Sequence, residues 1–234
     1  MRLALPLFGT TINALVLAIP PYLIAGQSAV LDTPVLAFLI LVSCWCFLEI
    51  LMQPTSRPEL TRGVRYRQLP GTIGLVLLAL FWAGLVQRVY QPLPVNLLNW
   101  LGLTAMVSGI TLRLLSIRTL GGHFLDEIAL KPDQPIIMSG IYRYLRHPSE
   151  AGLLLIALGT AAWLGSSLAL VIFTTTLLPL SLWRSLLEDR LLLSHDPQTF
   201  KTFSDAAPGL VPRHFLKYPL DSDSSVDPGS YSSS

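Results

Sequence analysis

Apolar runs long enough to cross a bilayer recur along this chain, and they restrict it to folds that satisfy every backbone polar group without water. A helical span takes about 20 mostly apolar residues. Residues 3–25, interrupted by Pro20-Pro21, and residues 34–52, 71–89 and 95–117 each meet that requirement. A fifth stretch, 151–187, is too long for one span and is broken by Gly165-Ser166-Ser167, which reads as the tip of a helical hairpin. Its first arm, 151–164, is short for a crossing. The expected fold is therefore all-α: a polytopic membrane helix bundle of about six hydrophobic segments, the last two a hairpin. The composition agrees, since only 13% of the side chains are charged, against about 25% in soluble domains.

The same numbers exclude other classes. A net charge of +2 gives no basic face for nucleic acid. Cys44 and Cys46 sit inside an apolar run, and His123, His147, His195 and His214 are scattered, so no metal site is expected.

The basic residues test the segment count, because positive charge concentrates in cytoplasmic loops. Arg57, Arg62, Arg65 and Arg67 follow the second segment; Arg113, Arg118, Lys131, Arg143 and Arg146 lie at or after the end of the fourth. Arg184, Arg190, Lys201, Arg213 and Lys217 lie at or after the end of the sixth, and Arg2 precedes the first. With six spans all of these share one face, both termini are cytoplasmic, and only Arg88 falls on the other side. The first run exceeds the core of a signal peptide and reads as a retained helix. Three regions are expected: four N-terminal helices (1–117), a polar loop, hairpin and C-terminal cap (118–219), and a disordered Ser/Asp/Gly tail (220–234).

Two clusters carry chemistry. The long polar connection before the fifth segment ends in Arg146-His147-Pro148-Ser149-Glu150. Pro148 suits a first helical turn, and the free N–H groups beyond it make a seat for an anion. The sixth segment ends in Trp183-Arg184-Ser185-Leu186-Leu187-Glu188-Asp189-Arg190. Arg184 and Glu188, four apart, project from one helical face and are placed to pair. Taken alone, each cluster is also compatible with an ordinary interfacial helix end. Together, an anion seat facing carboxylates suits a zwitterion such as an amino-acid moiety.

The string Gly140-Ile141-Tyr142-Arg143-Tyr144-Leu145-Arg146-His147-Pro148-Ser149, followed by Gly152 and by Arg184 with Glu188-Asp189, resembles the isoprenylcysteine carboxyl methyltransferases and their bacterial relatives. Leu120-Gly121-Gly122-His123-Phe124 upstream and Phe200, Phe203 and Pro212 downstream extend the resemblance over roughly residues 112–212. It implies a membrane methyltransferase that uses S-adenosyl-L-methionine at the cytosolic face. By position, Gln134, Pro135, Ile136 and Ile137 would wrap the cofactor, and Tyr142, His147, Pro148, Ser149 and Glu150 would line its pocket. Glu188 would hold the cofactor's ammonium group, and Arg184 would orient the substrate.

The implied acceptor is lipid-like or prenylated, reached through the membrane, with O-methylation of a carboxylate favoured. An ionised carboxylate needs no general base, whereas an amine acceptor would need one from Glu188 or Asp189. N-methylation of a phospholipid or other amine is one alternative, and a steroid 5α-reductase-like, nicotinamide-dependent reductase another. The chain departs from the family pattern at Gln134, at Glu150 (where an aromatic is usual), at Asp189 and at Phe200 and Phe203.

Overall fold

The computed structural model describes residues 3–53, 68–123 and 135–210. Among them there is no strand. Four long helices come first: α1 (Ala4–Val30), α2 (Thr33–Met52), α3 (Leu69–Tyr90) and α4 (Leu97–Leu120). Short helical turns at Gly121–His123 and Gly140–Arg143 precede α5 (Pro148–Trp163). A continuous rod follows, made of α6 (Ser167–Ile172), one widened turn (Phe173–Leu177) and α7 (Leu178–His195), and α8 (Pro197–Ala206) completes the order. The widened turn comes just before Pro179, whose missing N–H interrupts the regular ladder.

Five of these elements are long and apolar enough to cross a bilayer: α1 to α4 and the rod Ser167–His195. The chain is an integral multi-pass membrane protein. The fifth helix begins at Pro148, the residue suited to its first turn, ahead of the apolar run itself, and has 16 residues. At about 1.5 Å per residue it falls short of a hydrocarbon core about 30 Å thick. The hairpin tip is where the sequence placed it. Gly165 takes φ +64°, a conformation costly for other residues, and the Ser166 hydroxyl accepts from Ala169 N at 3.0 Å. The interruption of α1 differs from expectation. The helix continues through Pro20-Pro21 and bends instead at Ala25-Gly26, where Gly26 has φ +67°. Proline's fixed φ is itself helical; a positive φ is not.

The tightest partner of α5 is α4 rather than the rod that follows it. Gly102 faces Gly159 and Gly109 faces Gly152 across this antiparallel seam. A Cβ on Gly109 would lie 2.6 Å from the Gly152 carbonyl oxygen, and one on Gly159 would lie 2.6 Å from that of Gly102. Small residues let two backbones touch where lipid supplies no hydrophobic drive. Asn99 locks the far end of the seam, its Nδ2 donating to the Ala162 and Trp163 carbonyls, each at 3.0 Å. Those are carbonyls of the last turn of α5, and the Ala162 oxygen also accepts from Gly165 N at 3.2 Å. At the same end, Arg88 pairs with Asp32 at 3.1 Å and donates to the Leu93 carbonyl at 2.5 Å. The one basic residue expected away from the others is thus tied down.

Candidate active site

The start of α5 and the end of α7 meet at the end of the bundle opposite Arg88. His147 is the N-cap of α5, and Pro148 occupies its first turn. Both are buried. The His147 side chain does not cap the helix; it reaches across to α7. Its Nε2 lies 2.8 Å from Asp189 Oδ1 and its Nδ1 3.6 Å from Glu188 Oε2. Burial alone would lower the imidazole pKa, but the hydrogen bonds and charges of Asp189 and Glu188 outweigh it and raise the value to about 9. His147 is therefore an imidazolium at neutral pH.

Asp189 is fully buried and also takes Arg146 Nη2 at 3.1 Å. Arg146 is fixed further by its backbone N–H to the Pro208 carbonyl at 3.0 Å and by the ring of Phe200, 5.8 Å from its guanidinium carbon. Helix α8 makes this possible. Its N-cap Asp196 accepts from Thr199 N at 3.0 Å, and its apolar face turns Phe200 and Phe203 onto Tyr142, Leu193 and Ala207, with Ile136 at the margin. Tyr142 is buried there. Desolvation, with the Glu188 charge beside it, pushes its phenol well above the usual value, so it stays a hydrogen-bonding O–H.

A second polar group lies beside the first. Arg113 of α4 grips Glu49 of α2 with Nη2 at 2.6 Å and Nε at 2.9 and 3.1 Å, and its Nη1 donates to Ser149 Oγ at 3.0 Å. Arg184 of α7 pairs through Nη1 with Glu150 Oε1 of α5. Arg184, Arg113 and Glu49 close the polar end of a cavity of about 340 Å³, whose walls include Trp45, Ile73, Leu77, Phe81 and Leu153. That volume lies within the range of small-molecule sites, about 300–1,000 Å³.

The structure brings Tyr142, His147, Glu188 and Arg184 to one end of the bundle; the sequence pattern points to the His147 and Arg184-Glu188 clusters meeting, and Tyr142 enters only through the resemblance. Pro135 is exposed and Ile136 and Ile137 half-buried on the segment entering the Tyr142 turn; Gln134 lies outside the described residues, as do Pro212 and the tail. Ser149 faces Arg113. Glu150, which the resemblance assigns to the cofactor pocket, turns inward onto Arg184 and is 3% exposed. Among the described residues, the acid on the Arg184 guanidinium is Glu150 of α5, while Glu188 of its own helix turns to His147. Asp189, Arg113 and Glu49 are the members that spacing alone did not assign. Their signal was Glu49 itself, the only charged residue within α2, because an ion inside an apolar span needs a partner.

Of the four carboxylates, Glu49 (13% exposed), Glu150 (4%) and Asp189 (0%) are enclosed with cations, while Glu188 keeps 43% of its side chain open. It is the acid with room for an external cation. A held imidazolium, a buried phenol and this open carboxylate fit a ligand carrying both charges.

Residues 100–194 match the model of the isoprenylcysteine carboxyl methyltransferase (ICMT) family. Two relatives, each described as a probable protein-S-isoprenylcysteine O-methyltransferase, come from Oryza sativa subsp. indica and subsp. japonica. Each is 34% identical over 88 residues, which is 37% of this chain and 44% of the relative. The matched part thus spans less than half the length of those relatives. Among solved structures, the eukaryotic intramembrane Ras methyltransferase ICMT shares the fold with a TM-score of 0.51 at 19% identity, over 85% of this chain and 72% of that one.

Proposed function

We propose that this protein is an integral membrane S-adenosyl-L-methionine-dependent methyltransferase that esterifies the carboxylate of a lipid-like acceptor of the prenylcysteine type. The observation that carries the reading is the meeting of α5 and α7. One end of the bundle joins an open carboxylate, Glu188, to an apolar cavity that ends at Arg184. The first suits a cationic methyl donor from water, and the second an acceptor with a greasy tail and an anionic head from the membrane. The family match over residues 100–194 supports the same donor and acceptor. The clustering of basic residues supports a cytoplasmic side for this end.

S-Adenosylmethionine, when bound, supplies an electrophilic methyl group on a sulfonium, which departs as a neutral thioether. Glu188 holds the cofactor's ammonium group. His147, kept in one orientation by Asp189, fixes Glu188 from behind, and Tyr142 and the 135–137 segment form the adjoining wall. Arg184 points the acceptor carboxylate with its planar donors. No residue has to remove a proton, since the acceptor oxygen is already ionised. What remains is alignment at about 3–3.5 Å and exclusion of water, which the apolar cavity walls provide.

The test uses the purified protein in detergent with methyl-labelled cofactor and a prenylcysteine. Label released as methanol by mild alkali supports ester formation. Alkali-stable label on an amine-bearing lipid would assign N-methylation instead. Thermal stabilisation by a nicotinamide cofactor and not by S-adenosylmethionine would assign the reductase class.

A further inference from the structure

Two ion pairs stand side by side at the polar end of the cavity, and they are built differently. Glu49 meets Arg113 with both carboxylate oxygens, through three contacts between 2.6 and 3.1 Å. Such a two-pronged clamp is a structural bond. Glu150 meets Arg184 through Oε1 alone, and its Oε2 is buried without a hydrogen-bond partner among the described residues. A permanent buried carboxylate is expected to have both oxygens satisfied. Glu150 also sits three residues beyond the N-cap of α5, at the position from which an acid can turn back to the helix's first backbone N–H groups. That end of α5 has no side-chain cap.

We infer that Glu150 is a displaceable stand-in for the acceptor: it occupies Arg184 while the acceptor seat is empty, and swings to the first turn of α5 when the acceptor carboxylate takes its place. The inference rests on Arg184 being the acceptor's seat. Before the acceptor binds, the internal anion helps to keep a largely enclosed guanidinium compensated and aimed. On binding, one carboxylate replaces another on the same guanidinium. The exchange gives Glu150 a role in specificity. An acceptor without an anionic head cannot dislodge it, so neutral lipids are turned away from the reacting position.

The full chain in detergent, with labelled S-adenosylmethionine and N-acetyl-S-farnesylcysteine as the acceptor probe, tests this. Glu150→Gln keeps the shape and removes the competing charge. Its acceptor KM should fall by about tenfold, with the cofactor Kd unchanged. The inhibition constant of the matching carboxamide, which has no charge to exchange, should stay within about twofold of the parent. Glu150→Asp retains the charge but draws it back by one methylene; its KM should fall by a smaller factor, and it serves alone if the glutamine variant does not fold. An acceptor KM that is unchanged or higher in a folded variant with normal cofactor binding overturns the inference. Arg184→Ala separates the two ways of failing. If that variant leaves acceptor KM unaltered, the underlying reading of Arg184 falls. If it raises KM while Glu150→Gln does not lower it, the reading stands and the exchange falls.

Discussion

Helix α5 is packed by opposite rules on its two sides. Toward α4 it presents Gly152 and Gly159, and the two backbones close until no Cβ fits between them. Toward α2 and α3 it presents Leu153 to the wall of an open cavity. Gly74 of α3 lines the same cavity, and a Cβ added there meets nothing within 4 Å. One side is spent on rigidity and the other on space. The difference explains how a single short helix can hold His147 and the backbone at Glu150 in place while its neighbours leave room for an acceptor. The α4–α5 seam is the scaffold for the site, and the looser wall opposite gives it volume.

The largest effect is expected from breaking the tight side. Gly109→Val puts a branched side chain against the Gly152 carbonyl, where neither backbone can retreat without separating the helices. Overpacking of this kind costs about 3 kcal/mol; the helices should part, with a much lower yield of folded protein and a large fall in Tm in detergent. The matched change on the open side, Gly74→Val, should leave yield and Tm near the parent. Equal loss in both variants would remove the distinction between seam and cavity.

A smaller and more selective effect is expected at the open carboxylate. Glu188→Ala should weaken S-adenosylmethionine binding about 100-fold, the loss of one charge-assisted contact, while folded yield is kept because the side chain is partly solvent-facing. Titration of the cofactor by calorimetry reads the change directly. On the cavity side, Gly74→Leu should raise acceptor KM about fivefold by filling space that an apolar tail would use, with cofactor Kd unaffected. If Gly74→Leu altered cofactor binding and Glu188→Ala did not, the two ligands would have been assigned to the wrong sides.

The difference between these sides also marks what was legible in the sequence. Helix positions were readable because span length is dictated by bilayer thickness and because Gly165-Ser166 is a strong break. The meeting of His147 with Glu188 was readable because both flank the same hairpin, whose geometry brings its open ends together. The seam was not assigned, although Gly102, Gly109, Gly152 and Gly159 stand in plain view. A glycine in an apolar helix is equally compatible with lipid contact, and only the partner's matching seven-residue spacing distinguishes them. The direction of Glu150 was unreadable for a related reason. Position three of a helix favours an acid by itself, so its inward turn depends on Arg184 arriving from another helix. Asp189 was passed over as a neighbour of Glu188, because a carboxylate offset round a helix reveals its role only when Arg146 and His147 come to it.

The smallest expected effect concerns the polar joint that fastens α5 to α7. His147 has its pKa raised from 6.5 to about 9, the hydrogen bonds and charges of Asp189 and Glu188 overcoming burial. A cation held more tightly in the folded than in the unfolded chain contributes stability that is complete below the unfolded value. That contribution is lost as pH rises through the folded one. Thermal stability in detergent should therefore decline between about pH 6.5 and pH 9, independently of the seam, which contains no titrating group. His147→Gln, uncharged at every pH, should start less stable at pH 6 and show a flatter profile across that window. If the parent's Tm held level from pH 6.5 to 9, or the glutamine variant fell in parallel with it, the imidazolium would not be the fastening between the two helices. The joint would then rest on the Arg146–Asp189 and Arg184–Glu150 pairs.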